Sequence, residues 1–214
     1  WLYTVPATQA SSYGLIGRYY TNPGYADIDV AQQDASRLMM VRQDTKMSLN
    51  FGAGGPAPGM QTDNYMARWT GYITVPTGGS YSLGAVSDDG LRIKIKQGGA
   101  WQTVVDSWQD QAGTFWGSAT TLPANVPIPI QVDWYERGGG ATLSLMVQGN
   151  GYAAQEIPTT WLTPGVNALP SQWSFGVNID GNVSYERLRV GNSSVILEDS
   201  TGSTHEYTYT NGGY

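Results

Sequence analysis

The stretch Gly79-Ser-Tyr-Ser-Leu-Gly-Ala-Val-Ser-Asp-Asp-Gly-Leu-Arg-Ile-Lys-Ile-Lys96 decides how this chain is read. Both ends have strand character. The second, Leu91 to Lys96, alternates apolar and basic residues with a period of two, the spacing at which successive side chains take opposite faces of a sheet. Between them stands Ser87-Asp88-Asp89-Gly90. Two adjacent carboxylates repel each other unless something positive lies between them. Oxygen ligands with no Cys or His nearby suit Ca²⁺ better than zinc or copper. Neighbouring side chains ordinarily point apart, so both reach one ion only across an unusual bend, such as a cis Asp88–Asp89 peptide. The same residues also fit a plain hairpin turn, since Asp-Gly is a common short hairpin signal. The dipeptide alone leaves both readings open.

Outward from this turn the chain is written in short strands. Gly14-Leu-Ile-Gly-Arg-Tyr-Tyr20, Tyr65 to Val75, Trp101 to Asp106, Ile128 to Tyr135 and Ala141 to Val147 are rich in β-branched and aromatic residues. Turn signals separate them at Pro76-Thr-Gly-Gly-Ser80, Gln97-Gly-Gly-Ala100 and Glu136-Arg-Gly-Gly-Gly140, the last needing backbone angles that favour glycine. Ala31 to Met40 is the one segment with helical character. The Gly/Pro-rich run from Gly52 to Gly59 reads as a polar loop outside the core. Three regions are expected: a lead-in at 1–12, a β domain at 13–164, and a β-rich extension at 165–214 that begins a following module. The Trp start and the Asn-Gly-Gly-Tyr end suggest a piece of something longer.

Composition agrees. Of 214 residues 40% are hydrophobic and only 13% charged, with 28 Gly, 14 Tyr and 8 Trp, the profile of an all-β sandwich or barrel with a sizeable core. A net charge of -6 offers nothing to neutralise phosphates, which argues against nucleic acid as a partner. There is no cysteine, so neither a disulfide framework nor a thiolate metal site exists. No apolar run approaches the length of a membrane span.

Six landmarks, in order, carry a family resemblance: the opening strand Gly14 to Tyr20; Arg68-Trp-Thr-Gly-Tyr72 followed by Pro76 and Gly79-Ser-Tyr-Ser82; the acidic turn Ser87 to Gly90; Asp106-Ser-Trp108; Trp134-Tyr-Glu136; and Ile157-Pro-Thr-Thr-Trp-Leu162. Over residues 13–163 the chain resembles the PA14 domain family. Its lectin-like members join two Asp by a cis peptide around Ca²⁺, which in turn holds vicinal sugar hydroxyls. The resemblance implies that Asp88 and Asp89 are metal ligands, with Glu136 standing where yeast relatives place an Asn, and with carbonyls of Arg137 to Gly140 nearby. Glu136 could equally be a turn-stabilising charge paired with Arg137. Arg137 and Gly138, together with Trp108 and Trp116 of the 107–117 loop, are the expected sugar contacts, though Trp108 also reads as a core residue. Asp110 reads as a solvated loop residue. The 52–59 and 107–117 loops would wall the ligand. The implied function is a non-catalytic, Ca²⁺-dependent carbohydrate-binding module of a larger secreted or cell-surface protein, acting as a monomer within it. A structural spacer without sugar binding is the alternative. The tail, with Leu169-Pro-Ser-Gln-Trp-Ser174 and Asp199, Gly202 and Tyr207, resembles the region preceding the repeats of Rhs/YD-repeat proteins.

Nothing points to catalysis. His205 is the only histidine and lies in a polar strand, and no Gly-x-Ser-x-Gly elbow accompanies it. The acids of the best cleft candidate read as metal ligands, which makes them poor general acids. The expectation is a protein that is not an enzyme.

Overall fold

The alternation read in Leu91–Gln97 is kept in the computed structural model, which describes residues 13–22 and 27–164 together with the backbone of strands at 185–190, 194–199 and 204–208. The strands of the first unit are β1 (Leu15–Thr21), β2 (Leu38–Asp44), β3 (Ser48–Gly52), β4 (Tyr65–Ile73), β5 (Gly79–Asp88), β6 (Leu91–Gln97) and β7 (Ala100–Ser107). They continue with β8 (Gly113–Trp116), β9 (Thr120–Leu122), β10 (Ile128–Glu136), β11 (Ala141–Gly149), β12 (Tyr152–Glu156) and β13 (Leu162–Thr163). One sheet runs β2-β1-β4-β10-β6-β7, with β13 also on β4. The other runs β12-β11-β5-β8, with β3 on β11 and β9 on β5. All of these pairings are antiparallel.

The central strands turn alternate residues into the space between the sheets. Ile93 and Ile95 of β6, Val132 and Trp134 of β10, Leu83 and Ala85 of β5, and Leu143 and Val147 of β11 are all buried in one core. Arg92 and Lys94 alternate to the outer face. The Gln97–Ala100 turn has Gly98 at φ 59° and Gly99 at φ 84°, the left-handed pair that matches the twist of a tight hairpin.

The outer face of the first sheet carries a second, smaller cluster. Tyr20, Met66 and Tyr135 are covered there by Ile28 and Ala31 of a single helical turn, α1 (Ile28–Ala31). Asp27 caps that turn through the Asp29 amide at 3.0 Å and accepts from Arg92 Nη1 at 2.7 Å. Buried Arg68 pins it from the sheet: Nε and Nη2 donate to Asp133 at 2.6 and 2.9 Å, Nη1 to Gln32 at 2.7 Å and Nη2 to Asp29 at 2.6 Å.

The short helical piece expected near 31–40, one or two turns at most, is one α turn ending at Ala31 and a 3₁₀ turn at Ala35–Arg37, and the segment to Met40 is not helical throughout, since Leu38 onward is strand. Pairing with β1 and the full burial of Met40 override local helical propensity. The 52–59 loop is not outside the core either. Pro56 is buried, its carbonyl accepts from Arg42 Nη1 at 2.6 Å, and Ala57 packs against the main core.

A second unit follows, a three-stranded sheet of β14 (Tyr185–Val190), β15 (Ser194–Asp199) and β16 (Thr204–Thr208). His205 lies on β16 opposite Leu197. The Leu169 to Ser174 segment of the tail resemblance, and residues 1–12, fall outside the described residues.

Candidate metal and ligand site

The acidic turn is not a hairpin. β5 pairs with β11, β8 and β9, whereas β6 pairs with β10 and β7, so Asp88-Asp89-Gly90 is the corner where the chain crosses from one sheet to the other. The Asp88–Asp89 peptide is cis. The corner is tied to the end of β10 by a run of hydrogen bonds. Trp134 Nε1 donates to the Asp88 carbonyl at 3.2 Å, the Asp89 amide to the Tyr135 carbonyl at 3.3 Å, and the Tyr135 amide to the Gly90 carbonyl at 3.0 Å. Ser87 Oγ donates to the Asp89 carbonyl at 2.6 Å. Gly90 is required by space: a Cβ there would stand 2.2 Å from the Tyr135 ring.

This lacing delivers Glu136, the last residue of β10, beside the corner. One carboxylate oxygen from each of Asp88, Asp89 and Glu136 lies within 4.8 Å of the others. Two oxygens held on one Ca²⁺ at about 2.3–2.6 Å stand at most roughly 5 Å apart, so the triad is close enough to share an ion. Glu136 is only 1% exposed, and both of its side-chain oxygens are buried without a hydrogen-bond partner. A buried carboxylate in that state is costly unless a cation completes it. Burial first, then the charges of Asp89 and Asp88, push Glu136 up to about 8, against the pull of the nearby Gly138 amide, which does not reach hydrogen-bond geometry. Asp88 is also raised, by partial burial and by Asp89. The site therefore repels its own negative charge, and oxygen-only donors at this spacing fit a hard divalent cation.

The surrounding residues sort as follows. Arg137 donates its amide to Asp89 Oδ2 at 3.0 Å, while its guanidinium goes to Asp110, which also accepts from Tyr135 Oη at 2.7 Å. Arg137 thus clamps the 107–117 segment to the acidic corner, and Asp110 is a partner of that clamp. Gly138 to Gly140 close around the triad. Gly139 sits at φ 103°, and the Asp88 carboxylate comes within 3.3 Å of where a Gly140 Cβ would be. Trp108 is half-buried, edge-on to Tyr135 at 4.8 Å, with the Arg92 guanidinium 4.5 Å above its ring. It is packed rather than presented as a stacking platform. Trp116 is not in a loop but on β8, opposite Gly84, whose missing side chain makes room for its indole. Four residues of strand separate Gly84 from Asp88, about 13 Å at the usual rise, so Trp116 does not border the triad.

The sequence reading missed one contributor. Asp63, from the end of the Gly/Pro-rich loop, reaches the same glycine loop, accepting from the Gly139 amide at 3.4 Å. Beside it Tyr65, paired with Glu136 across β4 and β10, has a buried hydroxyl without a partner, and burial and the Glu136 charge push its pKa well up. The available signal was Asp63-Asn64 directly before the strongest strand, which a turn explained as well.

Residues 11–161 match the PA14 domain, and the chain belongs to that family. It is similar to the anti-sigma-I factor RsgI3 of Acetivibrio thermocellus, 28% identical over 159 residues that make up 74% of this chain and 22% of the relative. Among solved structures it is similar to an anti-sigma factor domain-containing protein, with a TM-score of 0.61 and 28% identity over 74% of this chain and 50% of the other. It also shares its fold with the PA14 sugar-binding domain from an RTX adhesin, at TM-score 0.57 and 21% identity, over 72% of this chain and all of that one. The chain spans about half of the solved relative and about a fifth of the curated one.

Proposed function

We propose that residues 13–164 are a non-catalytic glycan-recognition module that holds Ca²⁺ on Asp88, Asp89 and Glu136. The observation carrying this is the pair of orphaned Glu136 oxygens, buried within reach of both corner carboxylates. An ion bound by few side chains keeps coordination positions open, and neighbouring hydroxyls of a sugar are the neutral oxygens suited to fill them. The Arg137–Asp110 clamp and the Gly138–Gly140 loop hold the rim of that opening. Support from outside the chain is the shared fold with the RTX adhesin's PA14 sugar-binding domain.

The likeness to an anti-sigma factor over part of its length favours a place within a longer regulatory protein, while the fold shared with an adhesin's PA14 domain favours a secreted or surface one. Among the described residues no helix is long and apolar enough to cross a membrane. A glycan array read with Ca²⁺ and with chelator tests the reading. Binding that disappears on chelation, and in Asp88→Ala and Asp89→Ala, is expected. A Ca²⁺-stabilised protein that binds no glycan would leave the spacer role instead.

A further inference from the structure

Asp63 is an exposed acid with no part in the buried triad, yet it is set against the loop that frames the opening. Its Oδ1 lies 3.4 Å from the Gly139 amide and within 3.8 Å of where a Gly138 side chain would begin. The triad proposed above to hold the cation has its own support, since Glu136 is almost fully buried and both of its oxygens lack a hydrogen-bond partner. A metal-ligating carboxylate is deprotonated on binding. Asp88, Asp89 and Glu136 then carry three negative charges against two on a divalent ion, and Asp63 adds another at the rim. The nearby guanidinium of Arg137 does not offset this, because it is spent on Asp110. The mouth of the site stays negative with its ion in place.

We propose that Asp63 makes this site selective for uncharged glycans, accepting a hydrogen bond from a hydroxyl of the ion-bound sugar and turning away uronic and sialic acids. The inference rests on the Ca²⁺–glycan reading above. An acidic sugar would bring its carboxylate to a rim where the four carboxylates of Asp88, Asp89, Glu136 and Asp63 outweigh the charge of the ion. Like-charge juxtaposition of this kind acts on both encounter rate and affinity. A neutral sugar meets no such barrier, and the rim carboxylate is an acceptor its hydroxyls can use.

The test is a glycan array carrying neutral, uronic-acid and sialylated glycans, read with wild type, Asp63→Asn and Asp63→Lys, each with Ca²⁺ and with chelator. Ca²⁺-dependent melting is followed alongside. Wild type is expected to bind neutral glycans at least about tenfold better than acidic ones, a gap that narrows with added salt. Asp63→Asn should narrow it severalfold and Asp63→Lys close it, with the Ca²⁺-dependent rise in melting temperature retained. Chelator-sensitive binding of acidic glycans by wild type as strong as that of neutral ones would overturn the inference alone. So would a neutral-to-acidic ratio unchanged in both variants. Absence of any chelator-sensitive signal would overturn the underlying reading and this inference with it.

Discussion

Glu136 is the residue on which the site turns, and its chemistry gives two measurable consequences. Without an ion it is a buried acid facing two others, so the neutral isostere relieves both burial and repulsion. Metal-free Glu136→Gln should be at least as stable as metal-free wild type in urea, and should lose the stabilisation that Ca²⁺ gives wild type. The pH dependence follows from its raised pKa. Between pH 4.5 and about 8 the unfolded chain has released this proton while the native state keeps it, so the native state binds more protons and metal-free stability falls as pH rises. Urea midpoints of chelated protein should decline across that window, and the decline should be shallower in Glu136→Gln. Much of this site was legible in residues. Asp-Asp-Gly with no soft ligand nearby left a metal corner and a hairpin both open, and the family resemblance implied Glu136 beside the two Asp, where the structure puts it. What the sequence could not show is where charges go. Arg137 reaches Asp110 instead of Glu136 because β10 turns Glu136 inward while the loop after it runs outward.

At the scale of elements, alternation made β5, β6 and β11 readable, whereas β4 and β10 also bury residues such as Met66 and Tyr135 on their other face, under α1. The failures are elements whose fate depends on distant partners. Leu38–Asp44 carries a helical pattern at its start but is drawn into the sheet by β1, and Trp116 looks like a loop aromatic until Gly84 is found opposite it. The clamp between Arg68 and Asp133 belongs to the same class, 65 residues apart in sequence and adjacent across β4 and β10. Removing Arg68 leaves Asp133, fully buried, with Lys94 at 3.6 Å as its remaining cation. Arg68→Ala should therefore cost about 3–5 kcal/mol in chemical denaturation, and α1 should lose protection from hydrogen exchange first. The double variant with Asp133→Ala should recover part of the loss, as a coupled pair does. At the corner, Gly90→Ala forces a methyl into the Tyr135 ring. It should cost on the order of 1–3 kcal/mol and weaken Ca²⁺ binding by displacing the end of β10.

For the molecule as a whole the test is thermodynamic. A ligand that binds only the folded state stabilises by about 2.7 kcal/mol at a hundredfold excess over its Kd, or roughly 5–10 °C in melting temperature for a unit of this size. Ca²⁺ should produce a rise of that order in wild type and none in Asp88→Ala or Asp89→Ala, read by calorimetry with and without chelator. An all-β barrel or sandwich could be read from composition and turn spacing, and the structure makes it two open antiparallel sheets. The order of strands within each sheet could not be read, because β4 next to β10 and β5 next to β11 are long-range choices made by core packing. One of those choices reaches further than the fold. Asp88 ends a strand of one sheet and Glu136 ends a strand of the other, so the ion proposed to be shared between them would be a rivet through both layers at one end of the sandwich. Its loss would be felt as a parting of the layers at that end, and a tug on a bound glycan would be borne by two sheets instead of one flexible loop.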